Sequence, residues 1–463
     1  RAVTENPVDQ AWADQPAPPK APVVSHPIEF AGQSSADKRA RIAEQLKDKG
    51  ADALLLTAPH ALAWLFNIRG GDVHASPLPL GRGLLEADGT GTLFIHPNKV
   101  SDELTQHLGP DVTIQSEEDL SDHLKAFGRE KKTVWVDPQL TPLAFMQVLE
   151  KAGVKIIEAA DPCTLARAIK NETELEGSRR AHLRDGVAVT RFLHWIANAA
   201  PGGEVTEISA AQELENFRQE TGELQDISFD SISGAGAHGA IVHYRVTTET
   251  DQPLEQGSLY LIDSGGQYKD GTTDITRTLA IGPPTTEMQR HYTLVLKGHI
   301  ALATARFPVG TTGHQLDSFA RRPLWAAGLD YDHGTGHGVG SYLGVHEGPQ
   351  NISKRAIAQP LFPGMICSNE PGFYKTGEYG IRIENLVAVT PLSPVTGSDR
   401  TMMGFETLTF APLERELIDP GLLTEEEKDW VNQYHAAVYD KLSGSLPTDV
   451  ATWLKERTAP LSR

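Results

Sequence analysis

Two passages about a hundred residues apart constrain this chain more than any other part of it. One is Leu259-Tyr260-Leu261-Ile262-Asp263-Ser264-Gly265 running on to Thr272-Thr273-Asp274-Ile275-Thr276-Arg277. The other is Ser368-Asn369-Glu370-Pro371-Gly372 running on to Gly380-Ile381-Arg382-Ile383-Glu384-Asn385. Each is a pair of apolar, β-prone runs around a polar, glycine-containing turn, which predicts a β-hairpin. Facing residues of an antiparallel pair have numbers of constant sum. Asp263 therefore faces Asp274 if the turn is centred between Tyr268 and Lys269, and Glu370 faces Glu384 if it is centred on Gly377. Each hairpin is expected to present two carboxylates side by side on one face.

Two carboxylates that close repel, and burying them costs several kcal/mol unless something neutralises them. One reading leaves them on a solvated face, unrelated to each other. The other takes them as four oxygen donors for cations, because the strands around them are apolar on both sides. A fifth donor is available in the segment His333-Gly334-Thr335-Gly336-His337-Gly338-Val339-Gly340. Four carboxylates and the imidazole of His337 are too many ligands for one zinc ion, and suit a pair of divalent cations with bridging carboxylates.

The 463 residues exceed what one core holds and predict at least two domains. A net charge of −19 argues against nucleic acid or an anionic membrane as the main partner. No apolar run approaches the length needed to cross a bilayer. Two cysteines, Cys163 and Cys367, provide neither a disulfide framework nor a thiolate metal site, and a reducing compartment is the default. The chain starts at Arg1, so a processed or incomplete terminus is expected.

Along the chain, residues 1–33 are Pro-rich and polar and read as a linker. A helix is expected from Ala36 to Lys49, ending at Gly50, then a buried strand ending at Leu56. A short helix through Trp64 and a hairpin around Asp88-Gly89 come next, and helices and strands alternate to about residue 160. A helical connector is expected from Leu165 to Ala200. Beyond it lie β-runs, helices over 284–306 and 313–327, and a last helix from Leu422 to Leu442. The fold class is α/β (α+β).

Two motif matches carry no function. Gly234-Ala235-Gly236-Ala237-His238-Gly239 fits G-x-G-x-x-G, but a β-like stretch follows it where a dinucleotide site needs a helix. His346-Glu347 begins like H-E-x-x-H, but Gly348-Pro349 forbids the helix. Three histidines in 14 residues (His333, His337, His346) beside glycines are unusual for packing alone. His243 is expected in a β-run between Val242 and Tyr244. Arg382 is two residues from Glu384, so both are expected on one face, where the arginine either neutralises carboxylates or binds a substrate carbonyl or carboxylate.

Asp263-Ser264-Gly265, Thr273–Thr278, the Gly334–Gly340 loop, Asn369–Gly372 and Arg382–Asn385 together resemble the five metal-ligand signatures of the pita-bread metallopeptidases. Within that superfamily the chain is most similar to the Xaa-Pro aminopeptidases (aminopeptidase P). Glu176–His182, Gly239–Tyr244, His333–Pro349 and Trp64–Gly70 extend the likeness nearly end to end. The His337–His346 interval is that of the long, animal-type cytosolic members.

The resemblance implies a creatinase-like α/β domain over 34–170 and a pita-bread catalytic domain over 171–463, with 1–33 as a linker or the end of an absent first domain. It implies two divalent cations, Mn²⁺ before Zn²⁺ or Co²⁺. Asp263 would hold one and His337 and Glu370 the other, with Asp274 and Glu384 bridging. The expected activity is release of the residue before proline by a metal-activated hydroxide. Glu370 would move the proton, His346 would donate to the oxyanion, and His243 and His333 would position substrate. Tyr374 and Arg382 would line the proline side. A cytoplasmic homodimer through the catalytic domain, without nucleic-acid or membrane partners, is also implied. A prolidase-type Xaa-Pro dipeptidase and a non-catalytic peptide-binding module remain the alternatives.

Overall fold

The protein is described from a computed structural model, which covers residues 6–392 and 396–461. The N-terminal part is built on a six-stranded sheet. Its strand order is Val112–Gln115, Gly91–Phe94, Arg82–Glu86, Ala53–Leu56, Thr133–Val136, Lys155–Glu158. Ala53–Leu56 lies inside the sheet, antiparallel to Arg82–Glu86 and parallel to Thr133–Val136. Its residues alternate between two cores: Leu54 and Leu56 join one apolar cluster, Ala53 and Leu55 the other. A strand buried on both faces reads as a continuous apolar run, as this one does.

The first helix runs Ser35–Lys49, with the Ser34 side chain accepting from the Asp37 N–H and Gly50 in the left-handed conformation at its end. The stretch before it is not all free linker. Val24–Ser25 pairs with Ile68–Arg69, and Val23 is buried in the N-terminal core.

The expected single connector is two helices, Pro162–Ala168 and the 28-residue Glu172–Ala199. The break falls where Ile169 turns extended and bridges Met365. Asn171 then starts the second helix with a capping box to Glu174. Helices Thr286–Ala303, Gly313–Ala326 and Glu425–Leu442 fall within one to three residues of the stretches read as helical. A further helix, Thr448–Arg457, was not expected; it buries Val450 and Leu454, one turn apart.

The C-terminal part contains a three-stranded sheet of Ile232–Ala235, Ser258–Ser264 and Ile275–Ile281. A six-stranded sheet has Ile366–Asn369 between Asn385–Pro391 and Gly336–Gly338. The second acidic hairpin has the expected register: Asn369 pairs with Asn385 and Gly372 with Arg382, both centred on Gly377. The first does not. Asp263 pairs with Thr276, because Tyr268 pairs with Gly271 and the turn is centred between Lys269 and Asp270. The slip is two residues, one full side-chain period, so Asp274 stays on the face expected of it.

Candidate metal centre

All five acidic and imidazole donors sit at or next to strand ends. Asp263 is one residue from the end of Ser258–Ser264, and Asp274 immediately precedes Ile275–Ile281. Glu370 follows Ile366–Asn369, Glu384 precedes Asn385–Pro391, and His337 is the middle residue of Gly336–Gly338. Glycine lets these strands close on each other. A Cβ on Gly336 would lie 2.1 Å from the Ser368 carbonyl oxygen, and one on Gly380 would lie 1.7 Å from that of Gly239. The Gly234–Gly239 motif thus ends in a tight 3-10 turn over Gly236–Ala240, against the second hairpin.

The donor atoms form overlapping groups, each with members within 4.8 Å of one another: Asp263, Asp274 and Glu384; His337, Glu370 and Glu384; Asp274, His337 and His346. Glu384 belongs to both the all-carboxylate group and the His337–Glu370 group, the arrangement that two cations sharing a ligand require. Asp263, Asp274 and Glu384 are buried, whereas Glu370 keeps a partly exposed side. Burial first, then the neighbouring Asp263 and Glu370, drives Asp274 well above the usual carboxylate range. Burial and Asp274 do the same to Glu384, and burial raises Glu370.

The protein's own groups satisfy only part of this acidity. Arg382 Nη2 donates to Asp263 Oδ2 (2.6 Å), Thr276 Oγ1 to Glu384 Oε2 (2.7 Å) and Ser368 Oγ to Glu370 Oε1 (3.1 Å). Asp263 Oδ1 and Asp274 Oδ1 are buried without a hydrogen-bond partner. His337 Nδ1 is 3.0 Å from the Gly338 carbonyl, so the hydrogen-bond network assigns the proton to Nδ1. The Nε2 lone pair then faces Asp274 Oδ2 at 3.4 Å and Glu370 Oε1 at 3.7 Å. Lone pairs converging in a buried site are tolerable only around cations, and this oxygen-rich set with one imidazole fits them.

These groups line a cavity of about 610 Å³, which also receives His243, His333, His346 and Arg382. His243 lies in a turn, with the Tyr244 N–H bonded to the Ile241 carbonyl, and not in the β-run expected from its neighbours. Tyr374 does not line the cavity; its hydroxyl joins Arg382 Nη1 (2.7 Å) and His333 Nε2 (2.8 Å). The other nitrogen of His333 is bonded to the Gly334 carbonyl, and burial lowers this histidine to about 3. Burial likewise lowers His346 to about 4. Arg382 is 1% exposed, donates to Asp263 and Tyr374, and still lines the cavity, so it is placed to neutralise Asp263.

Sequence reading missed several participants. Thr276 and Ser368 each sit two residues from a candidate donor, Asp274 and Glu370, a signal that was present. Phe229, Ile232 and Val242 form the apolar part of the wall, and Asp317 and Arg321 hold the 331–335 segment from a helix. Nothing local in the sequence marks these.

Residues 176–391 match metallopeptidase family M24, residues 14–174 the creatinase/prolidase N-terminal domain, and residues 401–461 the C-terminal region of peptidase M24. A probable Xaa-Pro aminopeptidase P of Paracoccidioides brasiliensis (strain Pb03) is 40% identical over 477 residues, covering 99% of this chain and 77% of that protein. The chain belongs to metallopeptidase family M24. Among solved structures, an X-prolyl aminopeptidase from Caenorhabditis elegans superposes with a TM-score of 0.94 at 35% identity. That match covers 99% of this chain and 76% of that one, which is described as a cytosolic enzyme with a di-nuclear active site. An Xaa-Pro dipeptidase from Bacillus anthracis superposes less well, with a TM-score of 0.67 at 25% identity over 82% of this chain and 99% of that one. The fold is that of the M24 family: a creatinase-type α/β domain followed by the pita-bread domain. Its helices include none long and apolar enough to cross a membrane among the described residues.

Proposed function

We infer that this M24 chain is a metallo-aminopeptidase that releases the N-terminal residue from peptides with proline in the second position. The observation that carries the reading is the convergence of Asp263, Asp274, His337, Glu370 and Glu384 in one cavity, with Glu384 common to both donor groups. Asp263 with the bridging pair Asp274 and Glu384 would hold one cation, and His337 and Glu370 with the same pair the other. Mn²⁺ is the proposed metal, on the ground that carboxylate oxygens outnumber nitrogen. When bound, the cations supply a Lewis acid for the scissile carbonyl and, from water, a nucleophile near neutral pH.

The chain's own groups do the rest. Ser368 holds Oε1 of Glu370, whose carboxyl has access to the cavity; Glu370 accepts the proton of the attacking water and delivers it to the leaving imino nitrogen. His346, which lines the cavity, donates an N–H toward the carbonyl oxygen as charge develops there. His333 has both ring nitrogens occupied, so it contributes ring surface to the substrate and not a hydrogen bond. His243, in its turn at the cavity wall, positions the peptide. Tyr374 braces the proline side through His333 and Arg382.

Aminopeptidase and dipeptidase share this centre, and the better superposition on the X-prolyl aminopeptidase favours the former. Incubation of the Mn²⁺-loaded protein with Arg-Pro-Pro and with Gly-Pro separates them. Release of arginine from the tripeptide is expected; cleavage of the dipeptide alone overturns the assignment, and cleavage of neither would indicate a binding module. A homodimer through the catalytic domain and a cytoplasmic location are proposed on the same kinship. Light scattering and localisation of the tagged protein would test them.

A further inference from the structure

Among the described residues, the His346 imidazole makes a ring contact with His337, centroids 4.2 Å apart, and no hydrogen bond. Its position is therefore set by the backbone that carries it. That backbone is the loop 340–347, closed on itself by the Gly340 N–H and the Gly344 carbonyl (2.9 Å). The loop is held from both domains: within its own, Gln267 Nε2 donates to the Leu343 carbonyl (2.8 Å) and the Leu343 N–H donates to Thr272 Oγ1 (3.3 Å), and the N-terminal domain adds a second set of contacts. Leu343 at its tip is 1% exposed and sits in the same apolar cluster as Leu54, Leu56 and Trp64 of the N-terminal domain.

Two buried arginines outside the pita-bread sheets grip the loop at its two ends. Arg69 donates from Nε to the Tyr342 carbonyl (2.5 Å) and from Nη2 to the Ser341 carbonyl (3.2 Å). Its Nη1 is anchored on the Ala63 and Ile68 carbonyls of its own domain. Arg69 also lies over the Tyr342 ring, and Tyr342 has φ +50°, a left-handed conformation that a tyrosine adopts only when its surroundings impose it. At the other end, Arg167 Nε donates to Oε2 of Glu347 (2.9 Å), the residue after His346. Oε1 of Glu347 accepts from the Gly344 N–H (3.2 Å).

We propose that the N-terminal domain is a positioning element of the active site: Arg69, and Arg167 through Glu347, hold the 340–347 loop so that His346 reaches the substrate carbonyl. The inference rests on the role of His346 proposed above. A donor misplaced by about 1 Å costs up to ~10²-fold in turnover, while ground-state binding through the other groups is spared.

The test is a double-mutant cycle on the Mn²⁺-loaded full chain: Arg69→Met, His346→Ala and the pair, assayed on Arg-Pro-Pro, with unfolding temperature and bound cation per chain as controls. Arg69→Met is expected to lower kcat by ~10- to 100-fold with KM changed by less than about threefold. In the His346→Ala background the same substitution is expected to cost less than about twofold more. Losses that multiply would show that Arg69 acts on the protein at large, and wild-type turnover by Arg69→Met would show that it does not act; either result overturns the inference. Full turnover by His346→Ala overturns it too, but by removing the role of His346, while metal-dependent release of arginine still stands for the peptidase reading. Should Arg69→Met fail to fold, Glu347→Gln is taken through the same cycle. It retains an acceptor for one of the two donors, and a loss of ~3- to 10-fold that disappears in the His346→Ala background is expected.

Discussion

Arg382 Nη2 donates to Oδ2 of Asp263 across 2.6 Å, and both side chains are buried. The guanidinium is thus a permanent positive charge within a group of carboxylates, supporting one oxygen of Asp263 while the other, Oδ1, is buried without a hydrogen-bond partner. Removing one partner of a buried ion pair costs about 3–5 kcal/mol, because it strands the other charge. Arg382→Met is expected to lower the unfolding temperature by several degrees in EDTA and by clearly less in excess Mn²⁺, where cations take over the neutralisation. Equal losses in both conditions would mean that the arginine does not balance the metal site.

Asp274→Asn and His337→Ala each remove a donor whose atoms face at least two others in the cluster. Bound metal, measured by elemental analysis after dialysis, is expected to fall below two cations per chain. Hydrolysis of Arg-Pro-Pro is expected to drop by at least ~10³-fold, about 4 kcal/mol of transition-state stabilisation. Wild-type turnover by either variant would refute the assignment of the ligands.

Gly336 is a point where the fold and the site meet. A Cβ there would lie 2.1 Å from the Ser368 carbonyl oxygen, and Ser368 Oγ itself accepts the His337 N–H and donates to Glu370. Gly336→Ala is therefore expected to destabilise the protein by about 2–4 kcal/mol in chemical denaturation and to weaken Mn²⁺ binding as well. Gly202→Ala, where a Cβ meets nothing within 4 Å, is the control and should stay within about 0.5 kcal/mol of wild type.

Acid sensitivity should have a component from His435, remote from the ligands. Its Nε2 accepts the Leu413 N–H (3.2 Å), its Nδ1 is buried without a partner, and burial first, then Arg415 and Arg277, lower it to about 4. The unfolded chain takes up this proton near pH 6.5 and the folded one does not until about 4. The contribution is therefore complete above pH 6.5, declines as pH falls, and levels off below about 4. Between pH 7 and pH 5 it amounts to about 2 kcal/mol. His435→Gln should show a correspondingly shallower loss of stability over that interval; an unchanged slope would show that this histidine is not the group responsible.

Much of the centre could be read from the residue order because it depends on local periodicity. Glu370 and Glu384 follow from a hairpin centred on Gly377, and their strands have that register. The first hairpin shows the limit of the same reasoning. Choosing Lys269–Asp270 as its turn moves the partner of Asp263 from Asp274 to Thr276, a choice that turn chemistry alone did not decide. The face survived only because the slip was an even number of residues. His243 failed for a related cause: a β-prone tripeptide was held in a turn by its surroundings, as tertiary context overrides propensity.

The four carboxylates, His337 and the spacing that puts carboxylates on one face of each hairpin were present in the linear chain, since the pleat repeats every two residues and carboxylates crowded in apolar strands demand a counter-charge. Which oxygens remain unpaired, which arginine neutralises Asp263, and how the N-terminal domain holds the loop of His346 came only with the fold. Arg69 and Tyr342 are 273 residues apart, and Arg382 and Asp263 are 119 apart. Contacts of that separation leave no periodic trace, because they depend on how whole sheets pack and not on any run of neighbouring side chains.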